Sequence, residues 1–389
     1  MSEWKKVKLG DCCLKIGSGS TPKGGSTVYV ESGTSFIRSQ NVYNLSFDYN
    51  GLTHITEDAA NKLNGVTIFN DDILLNITGD SVARTCIVPN DVLPARVNQH
   101  VAIVRADCKM INSRFLNYYL ASPGMQAHML SLAVGKGASR NAMTKQMIEN
   151  FEVPCPSLST QHRIATILSR YDSLIENYQK QIKLLEEAAQ RLYKEWFVDL
   201  HFPGHENTKI VDGVPEGWTP SLLGQLAEFK RGKTITKKDA VEGDIPVVAG
   251  GLEPAYYCNK SNTAERVITV SGSGANAGFT RMYFENVWAS DCSFVDASTT
   301  PFLHFVFCYL KDNKTKIDNM QKGAAQPHVY AKDINSLGIC IPIESVLKSF
   351  EGKVSKYFDS ISSLQSQIRL LTEARDRLLP KLMNGEITT

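Results

Sequence analysis

The chain has 389 residues, 42% of them hydrophobic, with 42 Lys and Arg against 40 Asp and Glu and a formal net charge of +2. That length is too great for one ordinary core and calls for two domains or more. No apolar run approaches the roughly 18 residues of a membrane span, and "MSEWKKVKLGDCCLK" at the start lacks the apolar middle of a signal peptide, so a cytoplasmic protein without membrane association is expected. The near-neutral charge counts against an autonomous nucleic-acid binder relying on a strongly basic surface.

In chain order, "EWKKVKLGD" (Glu3 to Asp11) comes first. The nine cysteines are scattered, with Cys12 and Cys13 adjacent and no C-x-x-C, so reduced and mostly buried thiols are expected rather than disulfides or a zinc site. "DDILLNITGDSVARTCIV" (Asp71 to Val88) places a glycine-containing turn between two strands; "FLNYYLAS" from Phe115 and "GKGASRNAMTKQMIENFEVPCP" from Gly135 follow. Then Ile164, Leu168, Tyr171, Ile175, Tyr178, Ile182, Leu185, Ala189, Leu192 and Trp196 recur at alternating steps of four and three, the heptad signature of a coiled-coil seam. "HFPGHENTKIVDGVPEGW" (His201 to Trp218), rich in Gly and Pro, is expected to be a linker.

The second half repeats the first in the same order. "GWTPSLLGQ" from Gly217 answers the opening, "ERVITVSGSGANAGFTRM" from Glu265 the strand pair, "FLHFVFCYL" from Phe302 the segment at Phe115, and "QKGAAQPHVYAKDINSLGICIP" from Gln321 the stretch at Gly135. A second seam of Phe350, Val354, Tyr357, Ile361, Leu364, Ile368, Leu371, Arg375, Leu378 and Leu382 lies 186 residues after the first, and only Arg375, opposite Ala189, is not apolar. Helices of about 33 residues, or about 50 Å, are expected to pack on each other. An antiparallel pairing is favoured, because a parallel one stretches the linker along the helix with nothing to bury. The expected fold is α+β: two repeated globular domains joined by two long helices in an antiparallel coiled coil with an approximate two-fold axis. The segments are residues 1–160, a helix 161–198, a linker 199–217, a second domain 218–343 and a helix 344–389. "IPIESVLKSF" lacks the Gln-His-Arg of "VPCPSLSTQHRIATIL", which leaves the start of the second helix open.

Gly272, Gly274 and Ala277 satisfy the spacing of a dinucleotide fingerprint, but that site needs a helix after the glycines. "FTRMYF" follows instead, and the equivalent "TGDSVAR" also lies strand to strand, so both loops are expected to be hairpin tips. "GKT" at Gly232 to Thr234 ends like a phosphate loop, yet Ala227 stands where the first glycine belongs. His201 and His205 flank Pro203 and Gly204 with no third ligand in view. No serine-hydrolase, zinc-protease or amino-methyltransferase motif occurs, so no catalytic, cofactor or metal residue is assigned. The alternatives are a coiled-coil scaffold without DNA affinity, or a nucleotide-binding enzyme using the Gly272 loop.

The duplicated layout, "VPCPSLSTQHRIATIL", the "FPG...DGVPEGW" stretch and the closing "LLPKLMNGEI" together resemble the specificity subunit of a type I restriction-modification system over essentially the whole chain. The resemblance implies a non-catalytic DNA-recognition subunit. Its globular parts would be target recognition domains, each reading one half of a bipartite double-stranded DNA sequence. The helices would act as spacer and dock two methyltransferase subunits carrying S-adenosylmethionine. Restriction subunits with ATP- and Mg-dependent translocase and nuclease activity would join the larger complex.

Base readout needs polar side chains on exposed, supported loops. The candidates in the first domain are Ser81 and Arg84, then Asn98, Gln99 and His100, then Lys136, Ser139 and Arg140. In the second they are Arg231, Lys233, Tyr256 and Tyr257, the tip residues Ser273 and Asn276 with Arg281, and Gln326 with His328. Arg231, Lys233 and Lys237 are expected at phosphates rather than bases. His100, beside "VAIV", can equally be a hydrogen-bonded core histidine.

Overall fold

The computed structural model describes residues 4–134, 141–323 and 327–387. Two compact units divide the chain, Met1–Asn177 with Ile368–Thr389, and Tyr178–Gln367. The first long helix, Leu158–Tyr193, ends in a π-helical turn, Lys194–Val198, and the second runs Glu344–Met383. Each unit therefore holds part of both helices, a division that differs from a domain–helix–domain–helix segmentation. The second helix starts 186 residues after the first, the offset of the seams, even though its entry sequence has diverged.

In the first unit an antiparallel four-stranded sheet has the order Thr85–Ile87, Ile73–Asn76, Val101–Ala106, Cys13–Ser18. Ile73–Asn76 is buried along its whole length, so it reads as a continuous apolar run rather than an alternation. A five-stranded sheet contains Thr53–Ile55, Thr34–Ile37 and Ala95–Val97 side by side, the last two parallel. Lys6–Lys8 pairs with Glu152–Pro154. Behind the four-stranded sheet, Ile73, Leu75 and Val104 pack with Phe115 and Leu116 of the helix Ser113–Ala121. The same cluster includes Ile164 and Leu168 of the first long helix and Leu379 and Leu382 of the second.

The second unit repeats this plan. Its four-stranded sheet has the order Thr280–Tyr283, Val267–Ser271, Cys292–Asp296, Lys230–Arg231. Ile245–Val248 lies antiparallel to Tyr256–Cys258 and parallel to Trp288–Ala289, and Thr219–Leu222 pairs with Gly338–Ile341. Its core joins Ile268, Val270 and Val295 to Phe305 and Phe307 of the helix Leu303–Asp312. Ala189, Tyr193 and Trp196 of the first long helix and Phe350, Val354, Phe358 and Ile361 of the second belong to that core too. Of the remaining seam residues, Tyr171, Ile175, Tyr178, Ile182, Leu185, Leu192, Tyr357, Leu364, Ile368, Leu371 and Leu378 are half-buried, while most of their helical neighbours are exposed.

Backbone hydrogen bonds fix which residues correspond, and they correct two pairings read from the sequence. Asn76 N–H donates to Arg84 O and Ala83 N–H to Asn76 O; Ser271 N–H donates to Phe279 O and Gly278 N–H to Ser271 O. Asn76 thus matches Ser271, one residue away from the alignment of Asp71 with Glu265. Left-handed φ values confirm it: 77° at Gly79 and 77° at Gly274, 74° at Ala83 and 86° at Gly278. A one-residue slip moves every side chain to the other face of a sheet, and runs buried on both faces hide it. In the helices, Tyr119 Oη donates to Glu152 O and Tyr309 Oη to Gly338 O at equivalent places in the two strand pairs. Phe115 therefore matches Phe305, not Phe302; the "FL" dipeptides shift the match by nearly one helical turn.

The stretch 199–217 is folded rather than slack. Ile210–Val211 and Val214–Pro215 form a short hairpin, and Phe202 and Trp218 are buried against each other in the second core with ring centroids 4.9 Å apart. Gly204, Gly213 and Gly217 still take the positive φ that the Gly-rich composition suggests.

Candidate nucleic-acid interface

In the first unit three segments meet at one corner: the end of Cys13–Ser18, the hairpin tip 77–84 and the turn 97–100. Gly19 N–H donates to Val101 O, Ser20 N–H to Val97 O, and Ile77 N–H to His100 O. Gly79 N–H donates to Asn141 O and Met143 N–H to Ile77 O, which brings a fourth segment to the tip. A side-chain chain runs across this corner: Thr78 Oγ1 to His100 Nδ1 at 2.6 Å, His100 Nε2 to Gln99 Nε2 at 3.3 Å, and Thr21, whose hydroxyl donates to Gln99 Oε1. Gln99 is exposed and His100 half-buried, so this row faces outward at its Gln99 end. Asn98 is buried, its Oδ1 accepting from His100 N–H, and it shapes the turn instead of offering a free edge. Arg84 lays its guanidinium 4.5 Å from the Tyr43 ring centroid, and Ser81 closes the tip with its carbonyl. Lys136, Ser139 and Arg140 lie outside the described residues.

The second unit builds the same corner. Gly232 N–H donates to Cys292 O, Lys233 N–H to Ala289 O, Gly274 N–H to Pro327 O and Val329 N–H to Gly272 O. Gly272 and its neighbours thus sit between two antiparallel strands, which removes the helix N-terminus a dinucleotide site requires. Asp291 is central. Ser273 Oγ donates to its carboxylate, Gly272 N–H to its carbonyl, and Arg231 approaches it at 3.9 Å. Asn276 Nδ2 donates to Gly250 O at 3.4 Å, and His328, bridged to Ser273, stacks on Tyr330 with planes 10° apart. Exposed Lys230, Arg231, Lys233, Lys237 and Lys238 flank this corner along the chain.

Two second-unit candidates are committed elsewhere. Tyr256 Oη donates to Ile235 O, and Arg281 donates to Leu252 O at 2.8 Å and Glu253 at 3.2 Å while lying over Tyr283. They brace loops rather than extend from them; Tyr257 is exposed, and Gln326 lies outside the described residues. Sequence reading missed Thr21, Tyr43, Thr78 and Asp291, which no motif marks because only the turn geometry brings them in. Among the described residues no group of three or more His, Cys, Asp or Glu is placed to hold a metal ion, and no helix is long and apolar enough to cross a membrane. The nine cysteines are free thiols, five of them buried, and burial pushes Cys86 and Cys292 up to about 12.

Two units with one hydrogen-bonding plan, each ending in a corner of polar loop residues, define a protein built by structural duplication. The model of the type I restriction modification DNA specificity domain matches residues 1–187 and again 215–369, and the chain belongs to that family. It is 26% identical to the type I restriction enzyme MjaIX specificity subunit of Methanocaldococcus jannaschii over 99% of this chain and 94% of that one. It is 21% identical to the HindI specificity subunit of Haemophilus influenzae, over the whole of both. The fold matches a type I S subunit from M. genitalium with a TM-score of 0.60 at 17% identity, covering 98% of this chain and 96% of the other. Specificity subunits are the DNA-recognising, non-catalytic components of their systems.

Proposed function

We propose that each unit reads one half of a bipartite double-stranded DNA target and that the two long helices, paired as an antiparallel coiled coil, set the distance between half-sites and dock two methyltransferase subunits. S-adenosylmethionine belongs to those partners, ATP and Mg to restriction subunits that join them, and the assembly works in the cytoplasm. One observation carries the reading: the backbone hydrogen bonds that frame the corner recur in the second unit, whose turn 289–292 is one residue shorter than 97–101, while the side chains change. Ser20 gives way to Lys233, His100 to Asp291 and Ala142 to His328. One scaffold with two sets of edge groups is what two different half-sites need. Phosphate contacts from Arg231, Lys233 and Lys237 would add affinity without sequence information.

The docking reading rests on the outward helix faces. Leu184 and Leu370, 186 residues apart, are 63% and 59% exposed. Around them Gln181, Glu187, Ala188 and Arg191 return as Gln367, Glu373, Ala374 and Arg377, with both Glu–Arg pairs formed. A surface repeated this closely suits one kind of partner bound twice. Co-expression with a methyltransferase subunit and mapping of methylated adenines should give a two-part motif; a single continuous motif would refute the reading.

A further inference from the structure

The two units differ sharply at one set of equivalent positions. In the first, Tyr118 Oη donates to Asp172, and Asp172 Oδ1 accepts from Arg375 Nη1 at 2.7 Å, with the Arg375 side chain only 14% exposed. The match of Tyr119 with Tyr309 and the 186-residue helix offset identify the counterparts as Cys308, Phe358 and Ala189. All three are buried within one apolar cluster. A polar triad in one unit is thus an apolar triad in the other. The seam residues around both are alike, so apolar packing alone does not tell the first helix from the second.

We propose that the Tyr118–Asp172–Arg375 triad selects the helix partner: it makes a first helix pair with a second helix and disfavours pairing between like helices of two copies. This rests on the antiparallel pairing proposed above. In that register Asp172 faces Arg375, and Phe358 faces Ala189. If two first helices paired instead, each Asp172 would meet Ala189 of the other copy. If two second helices paired, each Arg375 would meet Phe358. The first exchange leaves buried Asp172 with the Tyr118 hydroxyl but no cation, and the second leaves Arg375 with only the half-exposed Asp376 carboxylate beside it on its own helix. Both are less favourable than the native arrangement, and buried polar pairs are known to set register and partner choice in coiled coils. The apolar triad cannot discriminate, since Phe358 and Ala189 would tolerate either neighbour.

The test uses the full chain carrying either of two affinity tags, both forms co-expressed, with mixed-tag species counted. The wild type and the charge-reversed D172R/R375D chain should stay at background. The chain with Y118C, D172F and R375A, which copies the apolar triad, should give more than about tenfold more mixed-tag dimer. If that chain is not recovered soluble, thermal denaturation decides: D172R alone should lower Tm and the added R375D should restore it. An apolar-triad chain that gives no more mixed-tag dimer than the wild type, or no restoration by R375D, would overturn the proposal. A disulfide between I175C and L371C within one otherwise wild-type chain reports the pairing itself. Its failure to form would remove the pairing, and the proposal with it, whereas its formation beside an unchanged apolar-triad chain would remove the proposal alone.

Discussion

Gly232 belongs to a broken phosphate-loop pattern, but its role is close packing: an added Cβ would lie 2.3 Å from Ser290 O, and at the equivalent Gly19 one would lie 2.1 Å from Val97 O. G19A and G232A should each lower stability by about 1–3 kcal/mol, read as a reduced urea midpoint with an unchanged slope. Asp296 gives a pH prediction. Burial raises its pKa, yet bonds from the Ser298 hydroxyl and N–H, the Ala264 N–H and the Thr299 hydroxyl outweigh burial and the net shift is downward. A depressed carboxyl pKa contributes stability above its unfolded value of about 3.9 and loses it as pH falls through the folded value. D296N should therefore be less stable than wild type at neutral pH, and the gap should close below about pH 4 in denaturation curves.

Elements show where propensity and packing part company. The second long helix runs through Gly352, where an added Cβ meets nothing within 4 Å. G352A should raise stability by about 0.5–1 kcal/mol, seen as a higher Tm, because glycine in a helix interior carries an entropic cost without a compensating contact here. The helices Ser113–Ala121 and Leu303–Asp312 teach the opposite lesson. Their dipeptides align three residues away from the match marked by the Tyr119 and Tyr309 hydroxyls, each of which donates to a strand carbonyl.

For the whole molecule, the proposed spacing function makes rod length a measurable quantity. Inserting one heptad at matched positions of both helices keeps the seam in phase and adds about 10 Å of helix. The methylated motif should keep both half-sites and gain unmethylated base pairs between them. An unchanged gap would mean that the helices do not set it.

The duplication, the heptad seams, the strand-to-strand glycine loops and the lack of a catalytic motif were all legible in the sequence, because periodicity and local turn chemistry are written residue by residue. Tertiary structure alone decided the rest. It set the one-residue register of the hairpins and folded 199–217 around Phe202 and Trp218. It also withdrew Asn98, Tyr256 and Arg281 from the loop edges and brought Asp291 to the second corner. Those outcomes depend on which groups meet between separate elements, such as Ser273 with Asp291, Tyr256 with Ile235 and Arg281 with Leu252, and no local pattern encodes such meetings.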